Sequence, residues 1–108
     1  MRDLKWSASE KKIARRAFDK ALERALAKAV SDFKARAAAV TTAEEMWDLG
    51  EDLHRQRREL DRMFDYRYSQ LLFVFPQLIR EGYLDEQGLS GLSDEKMDAI
   101  RHLLARWE

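Results

Sequence analysis

Glu51-x-x-His54 is the spacing in this chain with the clearest chemical meaning. One helical turn apart, a carboxylate and an imidazole make half of a di-iron carboxylate site, and a symmetric second copy could supply the other half. Placement argues against that use. If Leu49 and Leu53 face inward, Glu51 points away from them and His54 lies on their flank. No glutamate of the preceding segment stands at a matching height, so no metal and no organic cofactor are expected. His102, set among charged neighbours, reads as a surface residue. No Ser, Cys or Lys nucleophile has a base at motif spacing, and no glycine-rich loop follows a strand. An enzyme is not expected.

A second row of side chains is suited to recognition rather than reaction. Trp47, Gly50, His54, Arg57, Asp61 and Phe64 recur every three or four residues, with an aromatic at each end and charge between. Arg57 can form bidentate hydrogen bonds with a carboxylate across an interface, or pair with Asp61 four residues on. Glycine at position 50 costs about 1 kcal/mol relative to alanine, and its benefit would be room for a bulky group. One residue behind this row runs an apolar one: Met46, Leu49, Leu53, Leu60 and Met63, with Gln56 its single polar member. That alternation of threes and fours is the spacing of a helix–helix seam. One face packs and the neighbouring face meets something.

These rows need a long helix to hold them. Ser7-x-x-Glu10 is a capping box, so a first helix should start at Ala8, and no Pro or Gly interrupts it before Val40. Trp6, just before the cap, can staple onto the Lys11 or Lys12 stems or onto a partner chain. Phe18, Leu22, Leu26, Val30 and Phe33, with Ala14, Ala25, Ala29 and Ala37, form an alanine-rich stripe expected to pack closely on the second arm. Thr42-x-x-Glu45 reads as a second capping box, with Glu44, Glu45 and Asp48 at the positive end of the helix dipole. Pro76 should kink or break this helix near Leu72 to Phe75, and Gly82 should cap its end at Glu81. Leu84 to Leu92 reads as a loop or a short turn. Ser93 should cap a last helix, Asp94 to Arg106, whose face of Met97, Ile100, Leu103, Leu104 and Trp107 is closed over by Phe73, Phe75, Leu78, Tyr83, Leu89 and Leu92.

The expected fold is therefore all-α and a single domain, 1–108. A long antiparallel hairpin (7–70) forms a stalk, and a small helical head (71–108) sits at its end. Two arms alone bury little apolar area for a chain of 108 residues, so two hairpins should join as a homodimer in a four-helix bundle. Charged residues make up 37 % and hydrophobic ones 45 %, a balance that favours a folded, well-solvated helical protein over disorder. With no cysteine, disulfides and thiolate metal sites are excluded. No apolar run approaches ~20 residues and no basic-then-apolar leader opens the chain, so a cytoplasmic protein is expected, with no membrane insertion.

Charge is unevenly spread. Arg2 to Arg36 holds eleven basic and five acidic residues, a balance of +6, and the remainder balances at −6. Two mutually attracting arms would account for this. A nucleic-acid-binding helix is the competing reading, but Asp19, Glu23 and Asp32 interrupt the basic face and no reading motif is present.

The same residues carry a family resemblance. Met46-Trp47-Asp48-Leu49, Arg57 ten residues after the tryptophan, Glu59-Leu60-Asp61 and Phe64-Asp65-Tyr66-Arg67-Tyr68-Ser69 occur in order. Leu71-Leu72-Phe73-Val74-Phe75 and Glu81-Gly82-Tyr83-Leu84 follow. From Trp6-Ser7 to Gly91-Leu92, Asp94 and Lys96 the chain resembles the fluorescence recovery protein family, dimeric all-helical regulators of the orange carotenoid protein. The resemblance implies binding of that protein's light-activated form, mainly at its C-terminal domain, a faster return to the resting form, and an end to phycobilisome quenching. It also implies a partner-binding or dimer surface at Trp47, Gly50, Glu51, His54, Arg57, Asp61 and Phe64, and head contacts at Phe73 and Lys96. Two departures stand out. The family has His-Asp where this chain has Gly50-Glu51, and a basic residue of its last helix aligns with Ala99. A homologous helical dimer serving a different client is the alternative.

Overall fold

A computed structural model describes residues 5–107. Four α-helices and one short 3₁₀ turn make up the described residues: α1 (Ala8–Ala39), α2 (Ala43–Met63), α3 (Leu71–Arg80), the turn Glu86–Leu89, and α4 (Asp94–Arg106). The molecule measures 53 × 25 × 21 Å. Its long dimension is that of α1, whose 32 residues span about 48 Å at the usual helical rise.

The helices start where their caps place them. Ser7 Oγ accepts from the Glu10 amide at 3.1 Å, and the Glu10 carboxylate accepts from the Ser7 amide at 3.0 Å, a complete capping box. At α2, Thr42 Oγ1 accepts from the Glu45 amide at 3.1 Å. Here the Glu45 carboxylate accepts from the hydroxyls of Thr41 and Thr42, at 2.8 and 3.0 Å. Residues 40–42 reverse the chain, and α2 runs back antiparallel to α1, with Arg36 Nη2 2.6 Å from Asp52 Oδ2 near the turn. Ser93 caps α4 by accepting from the Lys96 amide.

The interruption of the second arm differs from the expected one. Pro76 lies inside α3, and the chain leaves helix upstream of it, at Phe64 to Gln70. The cause is aromatic packing. Phe64 leaves α2 with φ −90° and ψ 71°, and both its ring and that of Tyr66 meet Phe18 edge-on, at 5.4 and 4.8 Å. A new turn then begins at Arg67, whose carbonyl accepts from the amides of Gln70 and Leu71. Pro76 is only the sixth residue of the helix that follows, removes a single backbone bond, and is itself fully buried. α3 ends at Arg80 in a Schellman motif: the Tyr83 amide bonds to Leu78 O and that of Gly82 to Ile79 O, with Gly82 at φ 83°.

The core, too, differs from the expected one. Leu71, Val74, Phe75 and Leu78 of α3, Leu84, Leu89 and Leu92 of the connection, and Met97 and Ile100 of α4 form one cluster with Ala14, Ala17, Phe18 and Ala21 of α1. Ala14, Ala17 and Ala21 of α1 lie beneath the head, whereas Ala29 lines the space facing α2. Side chains of one carbon let α3 and the 3₁₀ turn approach the α1 backbone closely, and Gly91 (φ 103°) sits so near α1 that a Cβ there would stand 2.6 Å from Ile13 Cδ1. The head is therefore built around the first half of α1. Among the described residues, no helix is long and apolar enough to cross a membrane.

Candidate protein-binding surface

Beyond the head, the two arms splay. Between them lies a trough of about 630 Å³, lined on α1 by Phe18, Leu22, Leu26 and Ala29, and on α2 by Gly50, Leu53, His54, Gln56, Arg57, Leu60, Asp61 and Phe64. Of the apolar seam only Leu49 is buried, at 8 % exposure, while Leu53 is 41 % and Met46 47 % exposed. Leu26, Val30 and Phe33 face solvent on the opposite arm. One chain thus leaves both walls of its own hairpin largely uncovered.

The polar row flanks this trough. Trp47 is 66 % exposed, Gly50, Glu51, His54, Arg57 and Asp61 are exposed, and Phe64 is half-buried against Phe18. Among the described residues Glu51, His54, Arg57 and Asp61 make no hydrogen bond or ion pair, and the Arg57–Asp61 pair expected along the helix is not formed. No group of three His, Cys, Asp or Glu able to hold a metal occurs among them. A Cβ on Gly50 would meet nothing within 4 Å, so the room there opens outward. Trp47, Glu51, His54 and Arg58 rim a second hollow on the outer side of α2.

The two head residues separate. Phe73 turns outward, 38 % exposed, as a contact surface requires. Lys96, expected to meet a partner, is 4 % exposed and held inside the chain. Its Nζ donates to Lys5 O at 2.6 Å and to Glu10 Oε1 at 3.2 Å, and it lies 5.0 Å from the centre of the Trp6 ring. Burying an ammonium is costly unless it is paired and hydrogen-bonded, and all three contacts are met here. Glu10 Oε2 also accepts from the Ser93 amide at 2.9 Å. The residue that caps α1 therefore ties its start to the start of α4. Burial alone would raise the Glu10 carboxyl, but the amides of Ser7 and Ser93 and the Lys96 ammonium outweigh it and hold it at about 2.

Aromatic neighbours missed by the sequence analysis complete the joint. Trp6 packs on Tyr68 at 5.8 Å, the Arg15 guanidinium lies 4.5 Å over Tyr66, and Lys11 lies 5.1 Å over Tyr68. Burial is the main cause pushing the Tyr66 hydroxyl up to about 12. No local pattern marks these pairs, since their members lie more than fifty residues apart.

The architecture is that of an all-α hairpin scaffold: a packed head at one end and an open apolar trough, edged by an unpaired charged row, along the arms. The model of the photoprotection regulator fluorescence recovery protein family matches residues 6–104. A fluorescence recovery protein from a Synechocystis species is 34 % identical over 98 residues, covering 91 % of this chain and 90 % of that one. The solved structure of the Fremyella diplosiphon fluorescence recovery protein superposes with a TM-score of 0.87 at 37 % identity, covering 94 % of this chain and 99 % of the other. The Synechocystis structure gives the same TM-score and coverage at 34 % identity. The chain belongs to the fluorescence recovery protein family, a family of photoprotection regulators.

Proposed function

We propose that this chain works in the cytoplasm as a homodimer that binds the light-activated form of an orange carotenoid protein, mainly through that protein's C-terminal domain. It speeds the return to the resting form and so ends phycobilisome quenching. The observation that carries this reading is the open face of the stalk. Leu26, Val30, Phe33, Met46 and Leu53 stand exposed beside the unpaired His54, Arg57 and Asp61. Large apolar side chains grouped in this way mark an interface, and aromatic and arginine residues dominate the energetics of such surfaces. A second copy laid along the trough would cover the apolar walls and give Arg57 a carboxylate partner. The outward Phe73 is left on the head for the client.

No covalent chemistry is needed. A binder that holds the separated domains of the client nearer their closed arrangement lowers the barrier to closure by binding that arrangement more tightly. The decisive experiment mixes the purified chain with a light-activated orange carotenoid protein and follows its recovery in the dark. Acceleration at catalytic ratios supports the proposal; an unchanged rate with a folded, dimeric chain refutes it. The departures at Gly50-Glu51 and Ala99 favour one second reading, the same scaffold serving a different client. An unchanged rate would point there.

A further inference from the structure

We propose that the cleft between α1 and the 3₁₀ turn docks an acidic segment of a partner protein, one that presents carboxylates beside a single apolar side chain. The starting point is where the basic charge of α1 goes. Among the described basic residues of α1, only Arg36 pairs with α2, at Asp52. Arg15 and Lys28 pair within α1, at 3.1 and 2.7 Å, with Asp19 and Asp32. Arg24 donates to Tyr83 O and lies 4.0 Å from Asp85. Lys12, Arg16 and Lys20 have no ion pair or hydrogen bond among the described residues. The attraction between arms expected from the charge balance is thus met at one point, and the surplus stays exposed on the opposite side of α1.

That surplus has a shape. Arg16, Lys20 and Arg24, spaced four apart, line a cleft of about 370 Å³ to which Ile13 and Leu84 add apolar surface and Ser90 a hydroxyl, while its one lining carboxylate, Asp85, sits beside Arg24. At about 100° per residue, Arg16 and Lys20 are turned roughly a third of a circle from the trough residues Leu22 and Leu26. A dimer formed along the trough would leave the cleft open. Its volume suits one or two side chains. Carboxylates would meet the free Arg16 and Lys20, and an apolar anchor would sit on Ile13 and Leu84. A nucleic acid fits less well, because no aromatic side chain lines the cleft for a base to stack on.

The test is a titration of the full-length, nitrogen-15-labelled chain with a capped peptide of glutamates around one central leucine. Amide shifts should change and saturate at Ile13, Ala17, Leu84 and Gly88. The variant Arg16→Glu/Lys20→Glu should bind about tenfold more weakly or worse, since two exposed contacts are reversed in sign. Its helical content and melting temperature should not change, because neither side chain has a partner to lose. Raising the salt should weaken the binding of the original chain as the screening length shortens. Shifts that are absent, that spread along the whole of α1, or that persist in the variant would overturn the proposal. So would an oligothymidine of equal length that moves the same residues as strongly, which would make the cleft a general polyanion site.

Discussion

The two halves of α1 are read differently by the rest of the molecule. From Ala14 to Ala25 its inner face is covered, with Ala14, Ala21 and Ala25 at 0–2 % exposure beside the head and its hinge. From Leu26 to Phe33 the side chains are larger and more apolar, yet Val30 is 54 % exposed. Small residues draw neighbouring backbones in, so the head completes itself within one chain. The large residues farther along the hairpin stay exposed in the single chain. The head is covered within one chain, and the stalk is left open.

Head and stalk differ most sharply at Phe75, which is fully buried in the head. Phe75→Ala should cost about 3–5 kcal/mol. The loss should appear in chemical denaturation and be the same at every protein concentration. A loss that shrank on concentrating the protein would place the head's stability in the dimer too.

Next in size is the joint between α1 and α4. Glu10→Ala leaves the Lys96 ammonium buried without its carboxylate and should cost on the order of 3 kcal/mol. Replacing both partners, Glu10→Ala with Lys96→Met, should recover much of that loss, and a double-mutant cycle by thermal denaturation measures the difference. The pH dependence follows from the same pair. The folded Glu10 carboxyl titrates at about 2 instead of the ordinary 4.5. Its stabilisation is therefore complete above pH 4.5 and is lost as the pH falls from there towards 2. Glu10→Gln should flatten that acid slope, and an unchanged slope would assign it to other carboxylates.

For the stalk, Arg57→Leu should leave the helicity of the single chain intact, because Arg57 has no partner within it. If the dimer buries Arg57 against a carboxylate, sedimentation should show dissociation at concentrations roughly a hundredfold higher, and recovery activity falls with it. If Arg57 meets the client, the variant stays dimeric and loses recovery activity alone. Normal behaviour in both assays would remove Arg57 from the surface.

The smallest expected effect is at Gly50. With nothing within 4 Å of its would-be Cβ, Gly50→Ala should raise the stability of α2 by about 1 kcal/mol. A weaker dimer in the same variant, read by light scattering, would show that a partner backbone or ring approaches at this point.

What the sequence determined by itself is what four or five consecutive residues can settle. Ser7 with Glu10, Thr42 with Glu45, Ser93 and Gly82 placed the helix ends to within a residue, because a cap is a hydrogen bond between near neighbours. The alternation through Met46 to Met63 identified a face, and the ordered aromatic and charged runs carried the family. Tertiary structure decided which neighbour each face received. Pro76 looked like the breaker, but Phe18 across the hinge drew Phe64 and Tyr66 out of helix first. The α1 alanines promised close packing on the second arm, but Ala14 went beneath the head, Ala29 lines the open trough and Ala37 is exposed. Lys96 read as a surface cation until Glu10, 86 positions earlier, was brought to 3.2 Å. A local hydrogen bond is fixed by residues that covalent geometry already holds together. Burial depends on chain segments whose meeting is chosen by the whole fold, and no window of sequence contains both sides of that contact.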